Sequence, residues 1–182
     1  NSWHLMDSCY NNGEFEIGEN DYDLLRRLTI AGSEHRKWNR MVTVTMDITA
    51  PLYWWKEYDT YKVATVANSC STMHKIQAKE FTLDDFSCEY LEEYPKRLLS
   101  EVILELNKNR KAFNDTKDKN YWWQMIQLLP SSYNQKRSVM LNYEVLSNMY
   151  KSRKNHKLDE WQDFCKWMED LPFSYLITGE GE

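Results

Sequence analysis

Hydrophobic and polar residues alternate across residues 41–46, where four of the six positions carry β-branched side chains. Such alternation predicts a strand with one buried face. Ala50 and Pro51 follow. Because proline is favoured at the start of a helix, residues 51–58 are predicted to form a short aromatic helix. A second short strand is predicted over residues 63–66.

Apolar residues recur at helical spacing through most of the remaining chain. The predicted helices span residues 21–31, 95–113, 122–129, 136–155 and 159–170, the first of them ended by Gly32 and the third by Pro130. This pattern predicts an α+β fold, mostly helical with a small sheet, in one domain over residues 1–182. Residues 1–20 are expected to be irregular, and residues 178–182 to form a frayed acidic tail.

The amino-acid composition of the chain argues against several classes of function. The chain has only five glycines and none between positions 33 and 178, which excludes a Walker phosphate loop and a Rossmann fingerprint. The net charge of -5 argues against nucleic acid and anionic membranes as partners. No apolar run approaches the roughly 20 residues of a membrane span. The four cysteines contain no CxxC pair, so we expect no metal site and free thiols in a reducing cytoplasm, although one isolated disulfide stays open.

Residue patterns alone do not identify a catalytic group. Ser69 and Ser71 lack the flanking glycines of a nucleophile elbow, and the four histidines show no metal-binding spacing. The pairs Trp54-Trp55 and Trp122-Trp123 are typical of a core or an interface, and the alternative is a stacking wall for a flavin or a base. The catalytic residues are therefore left unassigned.

Residues 32–74 resemble the central segment of the flavin-dependent thymidylate synthases. That family has a Gly-His signature, a strand, an Ala-Pro helix start, and then Arg-His-Arg followed by a Ser and Asn motif. The segments that correspond here are His35, residues 41–46, Ala50-Pro51 and residues 57–71. In the second half, the family's Leu-Pro turn and long asparagine-bearing helix are matched by Leu129-Pro130, Asn142, Asn148 and Arg153. The resemblance implies the family's fold, with a small antiparallel sheet.

The sequence departs from the family where the family binds anions. Thr60-Tyr61-Lys62 replaces Arg-His-Arg, and Glu57 replaces a glutamine. Ser69 stands in place of a glutamate, with one extra residue before Ser71. Two further family arginines become Ile126 and Glu144. A guanidinium fork on a phosphate is a strong, directed contact that these side chains do not replace.

The resemblance also implies the binding residues. Those assigned to a nucleotide are Glu57, Tyr61, Lys62, Asn68, Ser71 and Arg153, and those assigned to a cofactor are His35, Asn142 and Asn148. We expect Ser71, Asn142, Asn148 and Arg153 to converge on one cleft, with Tyr61 or a tryptophan of the Trp54-Trp55 pair as a flat wall. In the alternative interpretation, the two asparagines cap or cross-link helices and Arg153 pairs with Asp159 or Glu160.

Three functions are open at this point. The first is a nucleotide-binding protein on this fold, in which methylation of dUMP is weak or lost. The second is an active thymidylate synthase that uses FAD, NADPH and methylenetetrahydrofolate to convert dUMP to dTMP. The third is a non-catalytic interaction protein, possible because one fold serves many tasks; a phage protein that captures nucleotide signals fits the first or third class.

Assembly and location are expected from the resemblance and from composition. The chain carries 8 Trp, 12 Tyr and 6 Phe, more than one small core needs, and the family is tetrameric. We therefore expect a homotetramer with a nucleotide or flavin ligand. The expected location is the cytoplasm of a bacterium or of a phage-infected bacterial cell.

Overall fold

The computed structural model describes residues 3–61, 63–69 and 71–179. Its helices and strands over these ranges are β1 (Cys9–Asn11), β2 (Glu14–Glu16), α1 (Glu19–Ile30), β3 (Thr43–Pro51), α2 (Leu52–Tyr58), β4 (Val66–Ser69), α3 (Thr72–Lys75), α4 (Glu93–Thr116), α5 (Lys119–Leu128), β5 (Asn134–Asn142), α6 (Tyr143–Arg153), α7 (Asp159–Glu169) and α8 (Tyr175–Thr178). The chain is mostly helical with small antiparallel sheets, as the sequence predicts.

The N-terminal segment contains a hairpin, so the expectation of an irregular stretch over residues 1–20 is wrong for its described part. Strands β1 and β2 pair antiparallel, with Tyr10 opposite Phe15. Asn12 and Gly13, at the turn, both have positive φ, 52° and 89°. Asn-Gly is the dipeptide that favours a tight two-residue hairpin turn, and this local signal was missed.

Two aspartates connect this hairpin to helix α1. The Asp7 carboxylate accepts hydrogen bonds from the backbone amides of Asn20 and Asp21, at 3.0 and 3.1 Å. The Asp21 carboxylate in turn accepts from the Ser8 hydroxyl at 2.6 Å, which lowers the pKa of Asp21. The cap of α1 therefore comes from outside the helix, and α1 begins at Glu19 instead of Asp21.

The chain divides into two compact units. The first, which we call the terminal unit, comprises residues 1–44, 63–65 and 140–182. The second, the central unit, comprises residues 45–62 and 66–139. The division falls within β3 and within β5, which belong to one three-stranded sheet of order β3-β5-β4.

The helix predicted over residues 136–155 is wrong in its first half, where strand β5 lies. Side chains of β5 alternate: Lys136, Ser138 and Met140 are exposed, whereas Val139 and Leu141 are buried. Gln, Lys, Arg and Met favour helices, and the polar Gln135 and Arg137 occupy the inward row, so the alternation is hidden in the sequence. The neighbouring strand predicted over 63–66 lies instead at Val66–Ser69.

Each unit has a core of its own. In the central unit, α4 packs against α5 and places Leu99, Ile103 and Leu106 at helical spacing against Met125. In the terminal unit, α6 packs against α7 and α8. Its fully buried side chains include Leu146, Met149, Trp161, Met168 and Ile177. Among the described residues, no helix is long and apolar enough to cross a membrane.

Helix α4 offers a matched test of the central-unit core. Leu106 is fully buried, whereas Leu104 on the same helix is 70% exposed. We expect Leu106→Ala to lower the free energy of unfolding by about 2–5 kcal/mol, because it leaves a cavity. Leu104→Ala should change it by less than about 0.5 kcal/mol. Urea unfolding measures both, and equal losses would contradict the assigned core.

Candidate functional site

The sequence-predicted site residues fall in both units. His35, Asn142, Asn148 and Arg153 belong to the terminal unit, and Glu57, Tyr61, Asn68 and Ser71 to the central unit. Lys62 lies outside the described residues. The convergence of Ser71 with Asn142, Asn148 and Arg153 therefore stays a prediction.

In the terminal unit, Asn142 caps helix α6. Its side-chain oxygen accepts a hydrogen bond of 2.9 Å from the backbone amide of Val145, and the residue is buried. This is the capping role of the alternative interpretation. The side-chain oxygen of Asn142 accepts this hydrogen bond from the helix instead of one from a ligand. Asn148, by contrast, is exposed on the same helix. Of the two asparagines, Asn148 is the one whose position suits a ligand contact.

Arg153 ends α6 and lies over an aromatic ring. Its guanidinium carbon is 5.0 Å from the ring centroid of Trp161, which is fully buried on α7. Cation–π packing of this kind stabilises the α6–α7 contact. A stripe of buried residues, Leu146 and Met149, precedes Arg153 on the helix. Arg153 thus contributes to packing in the terminal unit, whatever else it binds.

Glu144 occupies the position of a family arginine and is held in a buried ion pair. Arg36 donates to both of its carboxylate oxygens, from Nε at 2.8 Å and from Nη2 at 3.2 Å. The two side chains are 7% and 10% exposed. Arg36 is positioned by the turn at Gly32, whose carbonyl accepts from the Arg36 amide and whose φ is +104°. The adjacent His35 is exposed.

This ion pair changes the electrostatics of the position. The family resemblance places an arginine, a cation, at this position, whereas the two charges of Arg36 and Glu144 cancel each other. The Arg36 guanidinium donates to both oxygens of the Glu144 carboxylate. The pair therefore neither repels an anion strongly nor presents a guanidinium to one. The residues at this position therefore do not fit the anionic part of FAD in the way the family arginine does.

In the central unit, α2 builds a compact aromatic group of Trp54, Trp55 and Tyr58. The Trp54 and Tyr58 rings are stacked with centroids 5.2 Å apart, and Trp55 meets both edge-on. All three residues are buried, and burial raises the pKa of Tyr58. The tryptophan pair is therefore core, and of the predicted flat-wall residues only the half-buried Tyr61 lies nearer the surface.

The replaced triplet begins at the turn that ends α2. The backbone amides of Thr60 and Tyr61 donate to the carbonyls of Glu57 and Tyr58. Glu57 is half-buried, and its carbonyl also accepts from the Thr60 hydroxyl at 2.7 Å. Thr60 thus contributes a local turn contact at the place where the family carries an arginine.

Asn68 and Ser71 flank the edge of the three-stranded sheet. Asn68 is exposed on β4, which is hydrogen-bonded to β5. Ser71 is half-buried, and its carbonyl accepts from the amides of His74 and Lys75 at the start of α3. Both residues are at positions where a polar ligand group can reach them.

One cation of the central unit was missed by sequence reasoning. Arg137 on β5 lies 4.2 Å from the ring centroid of Trp55, and its Nη1 donates to Asp59 at 2.8 Å. Its Nε donates to the side chain of Gln135, also at 2.8 Å. Arg137 lies in the inward row of β5, which the sequence does not reveal because the residues of this segment favour a helix. Over the described ranges, no group of three or more His, Cys, Asp or Glu side chains is arranged to hold a metal ion.

Solved structures with the same fold are known. ThyX, a flavin-dependent thymidylate synthase from Helicobacter pylori complexed with FAD and dUMP, matches with a TM-score of 0.66 and 18% identity over 93% of this chain and 86% of that chain. A second structure of that enzyme with FAD and dUMP gives a TM-score of 0.65 and 18% identity, covering 93% of this chain and 85% of that one.

A methylase shares the architecture more distantly. The UMP/dUMP methylase PolB from Streptomyces cacaoi, bound with 5-Br UMP, gives a TM-score of 0.51 and 12% identity over 81% of this chain and 82% of that chain. No protein-family model and no curated protein matches the sequence. The chain therefore has the fold of the flavin-dependent thymidylate synthases, as the resemblance of residues 32–74 predicts.

The Arg36–Glu144 pair is testable by a double-mutant cycle. Because a single substitution leaves one buried charge without its partner, we expect Arg36→Met or Glu144→Met to cost about 3–5 kcal/mol of unfolding free energy. The double variant should be more stable than either single one. Lys37→Met is the matched control, since Lys37 pairs with Glu34 in an exposed position. Additive losses in urea unfolding would refute the coupling.

Proposed function

We propose that this protein binds a pyrimidine nucleotide on the flavin-dependent thymidylate synthase fold, with methylation of dUMP weak or lost. The observation that carries the proposal is the internal pairing of Glu144 with Arg36 at a position where the family has an anion-binding arginine. The fold supports a nucleotide ligand, because ThyX with the same architecture is complexed with dUMP and PolB with 5-Br UMP.

The argument for weak methylation rests on lost charge-assisted contacts. Thr60, Ile126 and Glu144 stand where the family has arginines. Each missing contact of this kind costs roughly 1.5 to 3 kcal/mol. Two such losses reduce affinity by on the order of a hundredfold or more. A nucleotide that still binds must use other groups of this chain.

The proposed ligand contacts are the polar residues at accessible positions. In the terminal unit these are His35, Asn148 and Arg153. Asn142 is buried, and its proposed contribution to the site is to cap the start of α6. In the central unit, Asn68, Ser71 and Tyr61 are proposed to contact the nucleotide, and Glu57 to lie beside it. The contact of Lys62 with the nucleotide stays a prediction. The location in the cytoplasm of a bacterium or of a phage-infected bacterial cell also stays a prediction.

An active synthase is the second candidate, because two structures of the same fold are complexed with FAD. In that case FAD would supply the redox chemistry, and NADPH and methylenetetrahydrofolate would be co-substrates. The colour of the purified protein separates the candidates: bound flavin is yellow, whereas the proposed function predicts a colourless protein. A colourless protein that no nucleotide stabilises would favour a non-catalytic interaction protein.

We expect dUMP to raise the melting temperature of the purified protein, because a ligand that binds only the folded state stabilises it by mass action. Expression should not restore growth of a thymidine-requiring bacterial strain. Calorimetric titration with dUMP, with dAMP as the mismatched control, measures the binding. Robust rescue of the strain would overturn the loss of methylation, and equal responses to the two nucleotides would overturn the pyrimidine preference.

We also propose that the protein is a homo-oligomer, a tetramer as in the family. At the start of α4, Leu91, Tyr94 and Leu98 expose a row of large apolar side chains. Exposed apolar rows of this kind mark contact surfaces more often than free surface.

Light scattering at micromolar concentration should therefore give a mass of about four times 22.0 kDa. Leu98→Glu should reduce this mass, because it places a charge in the row. Leu104→Glu on the same exposed helix, away from that row, is the control. A monomeric mass for the unmodified protein would contradict the proposal.

A further inference from the structure

We propose that Arg137 is an anion-binding residue of the central unit, and that its guanidinium binds the phosphate of the nucleotide in place of the lost triplet arginines. This inference rests on the proposed nucleotide binding and names the residue that recognises the charged end of the ligand.

The first argument is where Arg137 lies on its strand. On β5, the exposed row contains Lys136 and Ser138, whereas Arg137 shares the inward row with Val139. The side chain of Arg137 is 17% exposed. Placing a permanent charge in the inward row, next to Val139, carries a desolvation cost that a leucine or valine would avoid. A charge at this position therefore calls for a role that an apolar side chain cannot fill.

The second argument is that the guanidinium is held in place. Its carbon lies over Trp55, 4.2 Å from the ring centroid, while Nε and Nη1 donate to Gln135 and Asp59. Trp55 is itself fixed by the hydrogen bond of 2.9 Å from its indole nitrogen to the Gln135 carbonyl. The third guanidinium nitrogen of Arg137, Nη2, makes no hydrogen bond to any of the described residues. A planar donor fixed in this way loses little freedom on binding a phosphate.

The third argument is the position of the group beside the replaced triplet. Asp59, the partner of Arg137, directly precedes Thr60 in the chain, and the following turn is tied back to α2 by the Thr60 and Tyr61 amides. Asn68 lies on β4, the strand next to the one that carries Arg137. Arg137 thus brings a guanidinium to Asp59, the residue before the replaced triplet, in which Lys62 is the one remaining cation.

In this proposal, the phosphate replaces the Asp59 carboxylate as the partner of Arg137. Its side chain is 50% exposed, and exposed ion pairs of this kind contribute little free energy. A phosphate carries more negative charge than one carboxylate and offers several acceptor oxygens, so it competes with Asp59 for Nη1 and also reaches Nη2. The Asp59 charge then lowers the affinity for phosphate, and removing it should raise that affinity.

The experiment compares dUMP with deoxyuridine, which lacks the phosphate, by calorimetric titration of the full chain. The variant Arg137→Gln should lose dUMP affinity by about tenfold or more, because a charge-assisted contact is removed. Its affinity for deoxyuridine should stay at the unmodified value. Lys136→Gln is the matched control: it removes the same charge from the adjacent residue on the exposed row, where Lys136 pairs with Asp47. It should leave the ratio of the two affinities unchanged.

Two further variants keep the proposal testable if the Arg137→Gln protein does not fold. Arg137→Lys keeps the charge and should retain part of the dUMP preference, and Asp59→Asn keeps Arg137 and should increase it. An Arg137→Gln protein with the unmodified affinity ratio, or an Asp59→Asn protein with no gain, would overturn the inference while nucleotide binding stands. If the unmodified protein binds neither dUMP nor deoxyuridine, the proposed function fails, and the phosphate role of Arg137 fails with it.

Discussion

The buried Arg36–Glu144 ion pair joins two distant segments of the terminal unit. Neither charge is tolerated there without the other, so the turn at Gly32 and the first turn of α6 must lie together. A second contact joins the segment after this turn to α6, because the Tyr143 amide donates to the Val42 carbonyl, and a third joins it to α8, because the Asn39 side chain donates to the Leu176 carbonyl. An acidic residue in the first turn of a helix also interacts favourably with its dipole.

The same pair separates this chain from the enzymes whose fold it shares. An arginine at position 144 would present a cation, whereas Glu144 turns inward to Arg36 and leaves the position neutral. In the central unit, Arg137 on β5 places a cation against Asp59, the residue directly before Thr60. One backbone architecture thus carries two different charge arrangements, which is why fold similarity does not transfer an activity.

The aromatic residues show how burial decides between two uses of the same side chain. Trp54 and Trp55 suit a stacking wall by composition, but they are buried with Tyr58 as part of the core. Trp161 is also buried, and it provides the surface on which Arg153 lies. Large rings therefore stabilise both units, and Trp55 and Trp161 each pack against an arginine.

Local sequence was sufficient where a segment's own pattern agrees with its surroundings. Helices α1, α2, α4, α5 and α7 and the first four residues of β3 follow from apolar spacing and from Pro51, and the family's fold follows from residues 32–74 and the matches up to Arg153. Only the tertiary structure decided the rest. Residues 134–142 favour helix by composition but are recruited as the central strand between β3 and β4. The partnerships of Glu144 with Arg36 and of Arg137 with Asp59 join residues 108 and 78 positions apart, and no local pattern specifies contacts across such distances.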